Sequence, residues 1–199
     1  MMPAENSTWV MLYVPFVIGV LVARQFAIAN FALAGMLFFL CLLRELLKQS
    51  AAADFKNIPA QARPTLILAT AHGLFLGLIL LFKYHLWLLT PIALFGFLLF
   101  GLELLLVRMG SKHRVTIKLL GMATLTLSAP AAHYASSGAL TPVALALWVL
   151  CVLYFGITTV YTTGWSKKGV MVKNSLLVLL THSALFTAAV ALIFSFVRG

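Results

Sequence analysis

A chain of 199 residues that is 63% hydrophobic and only 9% charged has too few polar side chains to cover a water-soluble globule, in which about a quarter of residues are charged. Its net charge of +10 comes from 14 Lys and Arg against four acids, Glu5, Glu45, Asp54 and Glu103. No basic stripe interleaved with stacking aromatics accompanies that charge, which argues against a nucleic-acid partner.

Nearly uncharged apolar stretches recur at the length needed to cross a hydrocarbon core of about 30 Å as helix, and they are apolar on every face rather than alternating as barrel strands would. The expectation is an all-α, polytopic transmembrane bundle of about seven spans, folded as a single domain over residues 1–199. Residues 1–8 have no basic stretch and no small-residue cleavage site, so they do not read as a removable signal peptide. Span one is expected over 9–22, short and carrying Pro15 and Gly19, and span two over 27–47 after Arg24 and Gln25. The most polar stretch, 44–63, begins as a continuation of span two and ends as a loop stopped by Pro64. Span three follows over 64–82, a Lys83-Tyr84-His85 turn, and span four over 86–107. A basic turn, 108–114, leads to span five over 115–134. A neutral turn precedes span six over 140–161, and a Gly- and Lys-containing loop precedes span seven over 174–197.

Short loops rich in Lys and Arg stay in the cytoplasm. One set of connections holds Arg44, Lys48, Lys56, Arg63, Arg108, Lys112, Arg114, Lys118, Lys167, Lys168 and Lys173, and the other only Arg24, Lys83 and Arg198. The bias predicts an N-terminus inside and a C-terminus outside, in a bacterial cytoplasmic (inner) membrane, with anionic lipid as the basic loops' partner. Cys41 and Cys151 both fall within spans and read as free, buried thiols.

Three stretches resemble the bacterial YwiC-like membrane proteins. The opening from Pro3 to Trp9, running into Met11-Leu12-Tyr13-Val14-Pro15-Phe16, is similar to that family's Glu-His-Gly-Ala-Trp start before a Val-Pro-Phe helix. Leu43-Arg44-Glu45-Leu46-Leu47 resembles its Leu-x-Arg-x-Pro-Leu segment, and Ser128-Ala129-Pro130-Ala131-Ala132 its Ala-Pro-Ala-Ala helix. Asn6 and Ser7 stand where the family has His and Gly, and Lys118 stands where an acid is expected. The intramembrane prenyltransferases are a poorer comparison. Their Mg²⁺-diphosphate chemistry needs clustered carboxylates, and this chain has one aspartate, Asp54.

Ionisable groups inside a bilayer are costly and by default mark a site or a structural pair. His72 and His182 each follow a basic residue by nine positions, Arg63 and Lys173, which predicts similar depths on spans three and seven. Two level histidines suit bis-His haem b ligation or hydrogen bonding to a quinone. The blander reading is a bond from each ring to a backbone carbonyl or a neighbouring Ser or Thr. Gly73 and Gly77 would admit a helix or a flat cofactor close to His72. Glu103 in span four is expected to pair with Lys118 in span five, as a static pair or a gate. His85 and His133 are expected at the solvated outer rim. Glu5, Asn6 and Trp9, the 44–56 stretch that begins at Arg44, the 112–114 loop and Lys167-Lys168 form a candidate basic mouth for an anionic headgroup, the blander reading being the cytoplasmic bias of basic loops alone.

Three functional readings follow. The first is a non-enzymatic protein binding an amphipathic ligand (lipid, quinone or haem) within the bundle. The second is a small transporter with Glu103 and Lys118 lining the path. The third, the weakest, is a lipid-modifying enzyme, for which no nucleophile, base or metal-ligand set stands out.

Overall fold

The computed structural model describes residues 5–52, 62–109, 114–166, 181 and 183–190, with the side chains of 8–50, 63–109, 115–159, 181 and 183–190. Most of the described residues are helical, with no strand among them. Seven α-helices follow in chain order: α1 (Glu5–Ala23), α2 (Ala29–Ala52), α3 (Ala62–Leu78), α4 (Leu89–Arg108), α5 (Arg114–Thr126), α6 (Ser128–Ser137) and α7 (Pro142–Ser166). Residues 183–190 are helical as well. Among the described residues five segments are long and apolar enough to cross a membrane: Ala29–Ser50, Arg63–Lys83, Leu89–Arg108, Val115–Ser137 and Pro142–Thr159; Thr8–Ala23 is a shorter apolar helix. Most of the expected seventh span, 174–197, lies outside the described residues.

Where sequence periodicity suggested one continuous span five, the structure breaks it at Leu127, between α5 and α6. Pro130 is the cause that chemistry supplies: it has no N–H for the Thr126 carbonyl, and its ring crowds the preceding turn. The chain tightens there, Leu127 N–H donating to the Thr124 carbonyl at 3.3 Å. Thr126 Oγ1 donates to the carbonyls of Met122 and Ala123, both at 3.1 Å. At a depth without water, side chains must satisfy the irregular backbone.

The end of span three also departs from a plain helix. Ile79–Lys83 widens into a π-helical turn, and the chain then reverses through His85 at φ 54°. At the far end of α6 the reversal falls on Gly138, at φ 69° in the left-handed region, where its N–H caps the Tyr134 carbonyl at 2.8 Å.

The chain groups into two compact units, 1–26 with 122–199, and 27–121. In the first, α1 packs on α6 and both meet α7. Its core is Ile18, Val22, Ala129, Leu147, Cys151 and Val190. Gly19 sits against the Ala129 carbonyl so closely that a Cβ would strike it. The Ser128 hydroxyl donates to the Leu12 carbonyl at 2.7 Å, three residues before Pro15 inside α1. His133, expected in solvent, is instead 1% exposed, and Tyr134 is buried beside it. The reason is that α6 carries small residues on nearly every side, so neighbours approach all round it.

In the second unit α2 packs along α3 and meets α4. The α2–α3 seam runs through glycines, with Gly73 against Phe39 and Leu40, Gly77 against Met36, and Gly35 against Leu76. The close neighbour these glycines admit is therefore α2. Elsewhere this unit exposes Leu94, Phe97, Leu98 and Leu105 on α4, an apolar surface that water would not tolerate and lipid solvates.

Candidate functional site

Four charged side chains of the second unit, Arg44, Glu45, Lys48 and Glu103, meet at one spot. Arg44 and Lys48 lie four residues apart near the end of α2, so both project from the same face. Glu103 lies on α4, five residues before its last residue, Arg108, and is 0% exposed. Arg44 Nη2 donates to both of its carboxylate oxygens, at 2.9 and 2.8 Å. Lys48 Nζ meets Oε1 at 2.9 Å. The other guanidinium arm, Nη1, donates to Glu45 Oε1 at 2.8 Å. Two cations thus face two carboxylates.

A bare carboxylate in this setting would carry a desolvation cost of several kcal/mol, so its burial requires close cations and hydrogen bonds. Phe100, one turn before Glu103, completes the surroundings, with the guanidinium carbon 5.9 Å from its ring centroid. The floor of the cluster is the backbone of α5. A Cβ on Gly121 would collide with Arg44 Nη2 and lie 2.6 Å from Glu103 Oε1. Arg44 Nε is buried, and no hydrogen-bond partner meets it among the described residues.

Sequence reasoning singled out Arg44 and Glu103 separately, and the structure brings them together. It assigned Glu103 to Lys118, whereas the carboxylate is gripped by Arg44 and Lys48 of α2. Lys118 lies exposed on α5, three residues before Gly121. Glu45 and Lys48 lay within the 44–56 stretch expected at the basic mouth, but their pairing with Arg44 and Glu103 was not foreseen, and Gly121 was not proposed. The signal available for Lys48 was its four-residue spacing from Arg44 on a helix that outruns the span. For Gly121 no signal existed, because nothing in the sequence says what passes over it.

His72 stands apart from this cluster on α3. It is exposed, its Nδ1 lies 2.8 Å from the Leu68 carbonyl, and its ring stacks on Phe39 with centroids 4.9 Å apart at 27°. His182 lies outside the described residues, so the level pairing of the two imidazoles does too. In the other unit Glu5 and Asn6 belong to the first turn of α1, with side chains outside the described set. Trp9 follows them, stacked on Tyr13 at 6.0 Å. The loop lysines of the expected mouth, Lys112, Lys167 and Lys168, are likewise outside it. Among the described residues no group of three or more His, Cys, Asp or Glu converges as a metal site would require.

Long apolar helices, lipid-compatible surfaces and charges paired inside a span together define a multi-pass helical membrane protein. A model of the YwiC-like protein family matches residues 2–133, more than half of the chain, and the chain belongs to that family. The match contains the whole ionic cluster and His72 and stops within α6. No curated protein and no solved structure matches the chain.

Proposed function

We propose that this YwiC-like protein binds an anionic amphiphile within its helix bundle, the acidic head engaging Arg44 and Lys48 and the apolar body lying among the spans. The observation that carries the reading is the buried Arg44 Nε, which no partner meets among the described residues. A buried donor left unsatisfied costs about 1–3 kcal/mol, and a phosphate or carboxylate oxygen reaching it would recover that cost. Lys48, 29% exposed along its side chain, is the cation through which such a head enters. The charge bias of the loops supports a bacterial inner-membrane location with the N-terminus and this cluster on the cytoplasmic side, where anionic headgroups concentrate.

The test is mass spectrometry of lipids retained by the purified protein. An anionic amphiphile enriched over bulk membrane composition, and depleted in a Lys48→Met variant that still folds, supports binding. Retained lipid that mirrors the bulk membrane in both proteins sinks it. A cysteine-labelling topology map tests the orientation, which fails if positions near Ala52 label only from outside.

The burial of Glu103 within a span favours a second reading, a small transporter in which this acid exchanges partners along a path with Lys118. Uptake by proteoliposomes that vanishes in Glu103→Gln, without lipid retention, would select it.

A further inference from the structure

His72 sits at the middle of a candidate membrane span, nine residues after Arg63 and eleven before Lys83 in the segment Arg63–Lys83. At about 1.5 Å per residue, either end is roughly 13–17 Å away. One turn to each side, Leu68 and Phe75 are 57% and 61% exposed, so His72 interrupts a stripe that is otherwise suited to hydrocarbon. A polar ring at that depth needs its nitrogens satisfied.

One nitrogen is accounted for, and the way it is satisfied determines the other. Nδ1 lies 2.8 Å from the Leu68 carbonyl. A carbonyl oxygen only accepts, so Nδ1 carries the proton. In the neutral ring Nε2 then presents a lone pair and no hydrogen. Among the described residues no donor meets Nε2. The opposite tautomer would break the Leu68 bond, and a doubly protonated ring would place a cation at mid-span. The open position on this face is thus an acceptor. Flat surfaces lie beside it, the Phe39 ring stacked on the imidazole and Phe75 one turn along.

We propose that the Phe39–His72–Phe75 face binds a hydroquinone-type amphiphile, an aromatic ring bearing a hydroxyl and an apolar tail, with the hydroxyl donating to His72 Nε2. The hydroxyl supplies the missing donor, the ring lies against the phenylalanines, and the tail places the ligand at this depth. An oxidised quinone offers only carbonyl acceptors and would set lone pair against lone pair. The face therefore prefers the reduced form. This site is independent of the ionic cluster and stands or falls without it.

The experiment uses the full chain, ¹⁵N-labelled at histidine, in phosphatidylcholine nanodiscs, titrated with reduced decylubiquinone, oxidised decylubiquinone and dioleoylglycerol. The expected result is a saturable shift of the His72 Nε2 signal with the reduced probe. By calorimetry, binding should be about tenfold weaker for the oxidised probe, and about tenfold weaker for the reduced probe on His72→Phe, as loss of one buried hydrogen bond predicts. His72→Gln, which keeps an acceptor, should stay within about threefold of the native chain, and its thermal unfolding shows that the fold is intact. The proposal is overturned if the reduced probe gives no saturable shift. It is equally overturned if the oxidised probe or dioleoylglycerol binds as tightly as the reduced one, or if His72→Phe binds as well as the native chain.

Discussion

Arg44 and Glu103 are fifty-nine residues apart in the chain, and a single guanidinium nitrogen of the first lies within 2.9 Å of both oxygens of the second. Arg44 is 7% exposed and Glu103 0%. Neither is tolerable in a span alone, so removing one partner should cost more than removing both. Glu103→Leu is expected to destabilise the protein by about 3–5 kcal/mol, because Arg44 and Lys48 lose their shared anion. The double replacement Arg44→Leu with Glu103→Leu should recover most of that loss. Denaturant unfolding in detergent, compared through a double-mutant cycle, checks this. Strictly additive losses would contradict it.

Lys48 makes an equally short contact with Glu103 but is more exposed. Its ammonium is partly solvated, so the same Coulombic attraction is worth less. Lys48→Met should cost about 0–1 kcal/mol, several-fold less than Glu103→Leu, in the same unfolding assay.

Two glycines in the same unit should respond in opposite ways to alanine. At Gly121 the new methyl would meet Arg44 and Glu103, and overpacking of that kind typically costs about 1–3 kcal/mol. At Gly101, on α4, nothing lies within 4 Å of the added Cβ. Gly101→Ala should be neutral or stabilising by up to about 1 kcal/mol, because alanine loses less backbone entropy in a helix. Melting temperatures of the two variants, each set against the native chain, decide the matter.

Cys41 and Cys151 are 2% and 0% exposed and unpaired as disulfides. Reaction with a thiol probe needs an accessible thiolate, so neither should take up maleimide in the folded protein, and both should after denaturation in SDS. Mass spectrometry of the labelled chain reads the count directly. Labelling of the native form at either position would show that its helix packs differently from the structure described.

Much of the architecture was legible because a bilayer imposes a length on every apolar run. Helices α2, α4 and α7 fall within a few residues of the expected spans for that reason. The break at Leu127 was not legible, although Pro130 was visible. A proline in a span kinks, ends or merely bends a helix according to what its neighbours supply, and here Ser128, Thr126 and the carbonyl of Leu12 settled the outcome. His133 was misplaced for a related reason. Proximity to a span end suggests solvent, but the small residues of α6 let neighbouring helices close over it.

Composition and the spacing of charges by themselves determined that this chain lives across a membrane, that it does so as helices, and that Glu103 needs a cation. Hydrophobic length and the cost of a lone charge in lipid act on each segment separately, so they can be read one segment at a time. Which cation meets Glu103, and that Gly121 must be bare beneath it, was decided only by the packing of α2, α4 and α5. Those distances depend on side chains far apart in the chain, and no local pattern encodes them.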